Sequence, residues 1–129
     1  MGYALRNLKE LEDAAPAFGL ADTLEARFAR KALDAKHVGI SYQRLQPNTR
    51  LPFSHRHKTQ EEIYVVLSGS GRASLEGEIV DLRQWDALRV DKETTRGFES
   101  GPDGLELLAI GGPVGDGNDA EMVDAAWAD

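Results

Sequence analysis

From residue 51 onward the chain alternates apolar and polar positions in short bursts. The run Ile63-Tyr-Val-Val-Leu67 concentrates β-branched and aromatic residues and reads as a strand closed by Ser68, Gly69, Ser70 and Gly71. Segments 72–76, 78–82, 87–90, 95–99 and 105–110 follow, separated by turn chemistry at Gly77, Arg83-Gln84, 91–93 and 100–104. Short strands with such spacing predict an all-β sandwich or barrel rather than alternating βα units. Upstream, 38–45 alternates as a strand. Segment 24–33 carries both periods: Leu24, Phe28 and Ala32 suit a helix, and the alternation from Ala26 to Lys31 suits a strand. Strand is favoured, because a hairpin through 34–36 would pair it with 38–45. Asn7 caps a short helix that Pro16 and Gly19 end, and 120–127 reads as a short tail helix after a Gly- and Asp-rich turn. The chain thus divides into an N-terminal helical extension (1–22), a β-barrel (23–112) and a C-terminal tail (113–129).

With Glu62, Tyr64 and Val66 facing inward, Ile63, Val65 and Leu67 face the other way, and that side is apolar too. A strand apolar on both sides needs two covering layers: a second sheet, the N-terminal segment or a partner subunit. The expectation is a homodimer. Trp127 likewise needs a surface to lie on.

Composition narrows the class. A chain of 129 residues is one domain by the usual prior and buries enough surface for a core without staples. The absence of cysteine excludes disulfides, thiolate metal sites and cysteine nucleophiles. No apolar run approaches a membrane span, and the N-terminus lacks the apolar segment of a signal peptide, so a cytoplasmic protein is expected. With 15 basic and 22 acidic residues the net charge is -7, which disfavours nucleic acid as a partner.

Candidate chemistry clusters in 51–72. His55 and His57 are one residue apart, so on a strand both imidazoles point the same way. The polar run 58–60 reads as a turn that brings Glu62 opposite them. His55-x-His57, four residues, Glu62, six residues and Gly69 resemble the first signature of the cupin superfamily, small jelly-roll β-barrels. The signature's leading glycine falls at Thr49. In metal-binding members the two histidines and the glutamate ligate a divalent metal and a later histidine completes the set. The resemblance therefore implies His55, His57 and Glu62 as ligands for Fe, Mn, Zn or Ni.

The second signature of that superfamily departs here. Its markers fall on Trp85, Asp91, Glu93, Arg96 and Ser100, with Arg96 at the position of the metal-binding histidine. Arginine stays protonated and offers donors only, so it cannot ligate. Two readings stay open. In one, two imidazoles and a carboxylate hold a metal with positions free for oxygen or substrate, giving an oxygenase or isomerase. In the other, Arg96 pairs bidentately with Glu62 in a metal-free pocket that only binds or senses a ligand. In both, Arg96 is placed to hold an anionic group of a small-molecule ligand, with Tyr64 and Phe98 lining the cavity by parity.

Plain structural roles suit the other polar residues. Glu61 should face away from Glu62, His37 should be a solvated turn residue, and Glu106 should face solvent. No glycine loop followed by lysine cradles a phosphate, the Gly111-Gly112 pair lacks the helix of a dinucleotide fingerprint, and Ser68 and Ser70 have no evident histidine and acid.

Overall fold

The computed structural model describes residues 2–115, 117–124 and 127. Among them the strands are β1 (Leu24–Phe28), β2 (Gly39–Leu45), β3 (Phe53–His57), β4 (Glu61–Leu75), β5 (Glu78–Arg83), β6 (Ala87–Val90), β7 (Arg96–Gly112) and β8 (Ala120–Asp124). They form one curled antiparallel sheet in the order β1-β2-β7-β3-β8. β4 lies along β7 and carries β5 and β6 on its other edge. The fold is the expected all-β jelly-roll barrel.

The two long strands organise the rest. Tyr64 pairs with Ala109, Val66 with Leu107 and Ala73 with Phe98, so one alternating set of side chains from β4 and β7 fills the interior. Leu45, Val66, Val90, Leu105 and Leu107 are its fully buried apolar members, and Arg96 is buried among them.

Both long strands run through segments whose composition predicts turns. β4 does not stop at 68–71 but bends there, with register shifts between Val66 and Ser68 and between Gly69 and Gly71. The cause is close backbone approach: a Cβ on Gly69, whose φ is +78°, would overlap the Gly104 carbonyl oxygen, and one on Gly71 would overlap that of Glu99. β7 likewise runs through 100–104, bulging between Ser100 and Leu105 while its partner advances only from Gly71 to Gly69. These glycines turn the barrel's corner rather than end its strands.

Helical structure is minor. The Asn7 cap is present, its Oδ1 accepting from the Lys9 amide at 2.9 Å, but it opens only a 3-10 turn at Leu8–Glu10. A second 3-10 turn follows at Ala15–Phe18. Segment 24–33 contains both of the readings its periodicity allows, strand β1 and then a single helical turn, α1 (Arg30–Leu33), before the hairpin partner β2.

The tail helix expected over 120–127 is not formed. Residues Ala120–Asp124 are β8, paired with β3 from Phe53↔Asp124 to His57↔Ala120. The open edge of β3 supplies hydrogen bonds that a five-residue helix could not match, which overrides local propensity. Trp127 then lies on the outer face, its ring 4.2 Å from the Arg50 guanidinium and 5.5 Å from that of Arg72. It sits beside Gly97, where the missing side chain leaves room: a Cβ there would stand 3.5 Å from Trp127 Nε1 and 2.6 Å from Ser54 Oγ. The tryptophan's surface is therefore on its own chain.

The outer face of β4 is only partly covered. The N-terminal segment lies instead over β1 and β2, with Lys9 Nζ 4.5 Å above the Tyr42 ring and 2.8 Å from Glu25. Ile63 remains 39% exposed and Trp85 71%.

Candidate metal centre

Strand alternation places His55 and His57 on the inner face of β3 and leaves Ser54 and Arg56 on the outer one. The turn at 58–60 then carries the chain into β4, where Glu62 is the first inward residue and pairs across to Gly111 and Val90. A carboxylate from the chain's far end secures this turn. Asp119 accepts from the amides of Thr59 at 2.9 Å and Gln60 at 3.0 Å, and from the Thr59 hydroxyl. Its Oδ2 also lies 3.0 Å from His57 Nδ1.

The three expected ligands meet. Ligand atoms of His55, His57 and Glu62 all lie within 4.8 Å of one another. The imidazole rings stand edge to face, 5.2 Å between centroids. Glu62 Oε1 is the crowded atom: His57 Nε2 is 3.0 Å away, His55 Nε2 3.4 Å and Arg96 Nη1 3.2 Å, and the Tyr64 hydroxyl donates to it. Tyr64 packs on Phe98 with ring centroids 4.7 Å apart. All six predicted site residues are thus gathered in one place inside the barrel.

Arg96 is fully buried. Its contact with Glu62 is not the bidentate fork that arginine and carboxylate favour, because the second terminal nitrogen donates instead to the Asp91 carbonyl at 2.6 Å. Its Nε has no hydrogen-bond partner among the described residues.

Electrostatics follow from this crowding. Burial opposes the charge of Glu62, but the neighbouring His55 and His57 imidazoles and the Tyr64 hydroxyl outweigh it and hold the carboxyl well below the usual range. Burial also opposes charging His57, and Glu62 and Asp119 overcome it, so its pKa is raised. Tyr64 is pushed well above the ordinary phenol value by burial and by Glu62, so it stays a proton donor.

The donor set suits a divalent metal: two imidazole nitrogens and a carboxylate, with Tyr64 behind them. One atom makes the fit specific. His57 Nε2 is buried, lies 3.0 Å from Glu62 Oε1 and yet makes no hydrogen bond among the described residues. With Nδ1–H given to Asp119, that nitrogen presents a lone pair toward the other two ligands.

Other positions differ in part from expectation. Glu61 faces out, 3.6 Å from Arg89, and His37 is exposed, as predicted. Glu106 does not face open solvent but accepts from the hydroxyls of Tyr42 and Ser68. A charged residue between two hydroxyl-bearing strands gains more from those donors than from water. Asp119 was not foreseeable. It lies 62 residues from His57, in a Gly- and Asn-rich stretch with no ligand-like spacing.

Comparisons with known proteins agree with this fold. A family model described as "Cupin domain" matches residues 41–111. An uncharacterized protein of Methanocaldococcus jannaschii is 30% identical over 71 residues, covering 54% of this chain and 57% of its own length, so the chain spans little more than half of that relative. Among solved structures, a cupin protein from Bacteroides fragilis superposes with a TM-score of 0.72 at 24% identity, covering 90% of this chain and 88% of that one. Streptomyces Pac13, described as a nucleoside dehydratase, gives 0.76 at 14% identity over 94% of this chain and 91% of its own. The polyketide cyclase RemF from Streptomyces resistomycificus gives 0.72 at 15% identity, over 95% and 85%. No helix among the described residues is long and apolar enough to cross a membrane.

Proposed function

The chain belongs to the cupin domain family, and from that premise we propose that it binds a divalent metal through His55, His57 and Glu62 and acts on a small anionic molecule, by oxygenase or isomerase chemistry. The observation that carries this reading is the buried, unbonded Nε2 of His57, aimed at two further ligand atoms within 4.8 Å. A bound metal supplies a Lewis acid with positions open toward substrate.

Charge selects the substrate class. Glu62 and Arg96 cancel, so a divalent ion leaves the pocket with an excess positive charge in a low-dielectric interior, and an anionic ligand balances it. Arg96 supplies the positive field, and Tyr64 and Phe98 form the wall against which the ligand packs. Solved relatives that include a dehydratase and a cyclase support turnover of small molecules on this scaffold.

A metal-free binding or sensing domain is the second reading. What favours it is the wholly buried Arg96 on the would-be ligand Glu62. Elemental analysis of protein purified without added metal, followed by titration with iron, manganese, zinc and nickel, separates the two. Stoichiometric metal that His57→Ala abolishes supports the first reading. No binding of any of the four ions by the parent chain supports the second.

The proposal extends to assembly. The partly exposed apolar outer face around Ile63 is read as the contact between two copies of the chain.

A further inference from the structure

The structure points to a seventh member of the site. We propose that Asp119 is a positioning residue that locks the His57 ring in its Nδ1–H tautomer, so that Nε2 faces Glu62 with a free lone pair. The inference rests on the metal reading for its purpose, but the tautomer it assigns is a property of the protein alone.

Four observations converge on it. The Asp119 side chain is 10% exposed and its Oδ2 is 3.0 Å from His57 Nδ1. Its two oxygens are fully employed: Oδ1 accepts from the amide and hydroxyl of Thr59, and Oδ2 from Gln60 N–H and His57. Asp119 is therefore an acceptor held in place, with no capacity left to reach the ligand atoms itself. Lastly, the backbone is anchored on the same side, since the Asp119 carbonyl accepts from Lys58 N–H at 3.0 Å and Ala120 pairs with His57.

Tautomer choice follows from acceptor geometry. A neutral imidazole donates from one nitrogen and accepts at the other. Carboxylates stand 3.0 Å from both ring nitrogens, but only Asp119 meets its nitrogen in hydrogen-bond geometry, so the neutral ring carries its proton at Nδ1 and leaves Nε2 bare. Without Asp119, the crowded Oε1 of Glu62 would become the better acceptor, drawing the proton to Nε2 and turning the would-be ligand atom into a donor. The same carboxylate fixes the turn between His57 and Glu62, so both ligands depend on it. It stands immediately before β8, a strand paired to β3, with its own carbonyl bound to Lys58 N–H, which gives it the rigidity that support of a ligand requires.

The test uses full-length protein with Asp119→Ala, Asp119→Asn and a control, Thr59→Val, which removes one hydroxyl donor to Asp119 and keeps the bond to His57. Imidazole ¹⁵N NMR of metal-free protein, at a pH where the ring is neutral, reads the tautomer directly, with His57→Gln assigning the signal. Wild type and Thr59→Val should show Nδ1–H, and Asp119→Ala should move to Nε2–H or a mixture. Zinc affinity, measured by competition with a chromogenic chelator, should fall about 10- to 100-fold in Asp119→Ala and by less than about 3-fold in Thr59→Val. If Asp119→Ala does not fold, Asp119→Asn carries the test, since its amide retains the volume and weakens the acceptor.

Nε2–H in the wild type, or an unchanged tautomer in the Asp119 variants, overturns the proposal. An Nδ1–H signal lost in the variants, in a protein that binds none of iron, manganese, zinc or nickel, upholds the role of Asp119 and defeats the metal reading instead.

Discussion

Arg96 and Glu62 meet at a single oxygen: Nη1 of the buried guanidinium stands 3.2 Å from Oε1, the atom that also faces both histidines. The pair sets a conflict between charge balance and metal binding. Glu62 needs a cation, and Arg96 already is one. An ion bound beside Glu62 must either share the carboxylate with the guanidinium or take it over.

Replacing the guanidinium should therefore strengthen metal binding. A positive charge about 5 Å from a divalent ion costs about 3 kcal/mol per charge pair at an effective dielectric near 20. Arg96→His is expected to tighten zinc or nickel affinity by about 100-fold or more, measured by chelator competition. Equal affinity in the two proteins would mean that Arg96 moves off Glu62 when metal binds.

Charge removal on the other side should unfold the protein more readily. Glu62→Gln strands a buried Arg96 and is expected to cost about 3 kcal/mol of stability in urea titrations. The double variant Glu62→Gln, Arg96→Met should lose much less than the sum of the two single losses. Additive losses would show that the two side chains do not depend on one another.

Acid stability should depend on a second cluster. Burial opposes the charge of Glu25, but Lys9, Arg27 and Arg44 prevail and lower its pKa to about 2 from 4.5. A carboxylate with a depressed folded-state pKa stabilises fully above its unfolded value, and that contribution is lost as pH falls from about 4.5 toward about 2. Glu25→Gln should flatten the decline in melting temperature over this window and lower stability at neutral pH. A parallel curve would assign the acid limb to other carboxylates.

The notch at Gly97 offers a separate handle on the C-terminal strand. In Gly97→Ala the new methyl clashes with Ser54 Oγ at 2.6 Å and comes into ordinary contact with Trp127 Nε1 at 3.5 Å. A stability loss of about 1–3 kcal/mol is expected. In a Trp85→Phe background, Trp127 emission should shift to the red where the displaced Ser54 and strand move the indole from its seat beside Gly97. Unchanged emission would place the strain at Ser54 alone.

Assembly is testable by sedimentation. Ile63→Arg adds charge to the partly exposed apolar outer face and should convert a dimer to a monomer without loss of zinc binding. A wild-type monomer at micromolar concentration would remove the dimer proposal.

The legible part of the site was the part with local spacing. His55, His57 and Glu62 lie within eight residues, where strand alternation and one turn determine direction. Arg96 and Phe98 could be placed because their parity on one strand is shared. Long-range partners left no such trace. Asp119 reaches His57 across the sheet, and β8 is a strand only because β3 has an open edge to receive it. Gly69 and Gly71 misled for a related reason: glycine marks tight backbone approach as readily as a turn, and only the neighbouring strand distinguishes the two.

Strand β8 also places the site in time. During synthesis the residues of β3 and β4 emerge well before those that hold Asp119, so a nascent chain presents its two histidines and glutamate while His57 still lacks its partner. The orientation proposed for the ring would follow only once β8 has been made and has paired with β3. On the proposed reading, a metal would therefore meet its supported ligand set only after β8 has paired with β3.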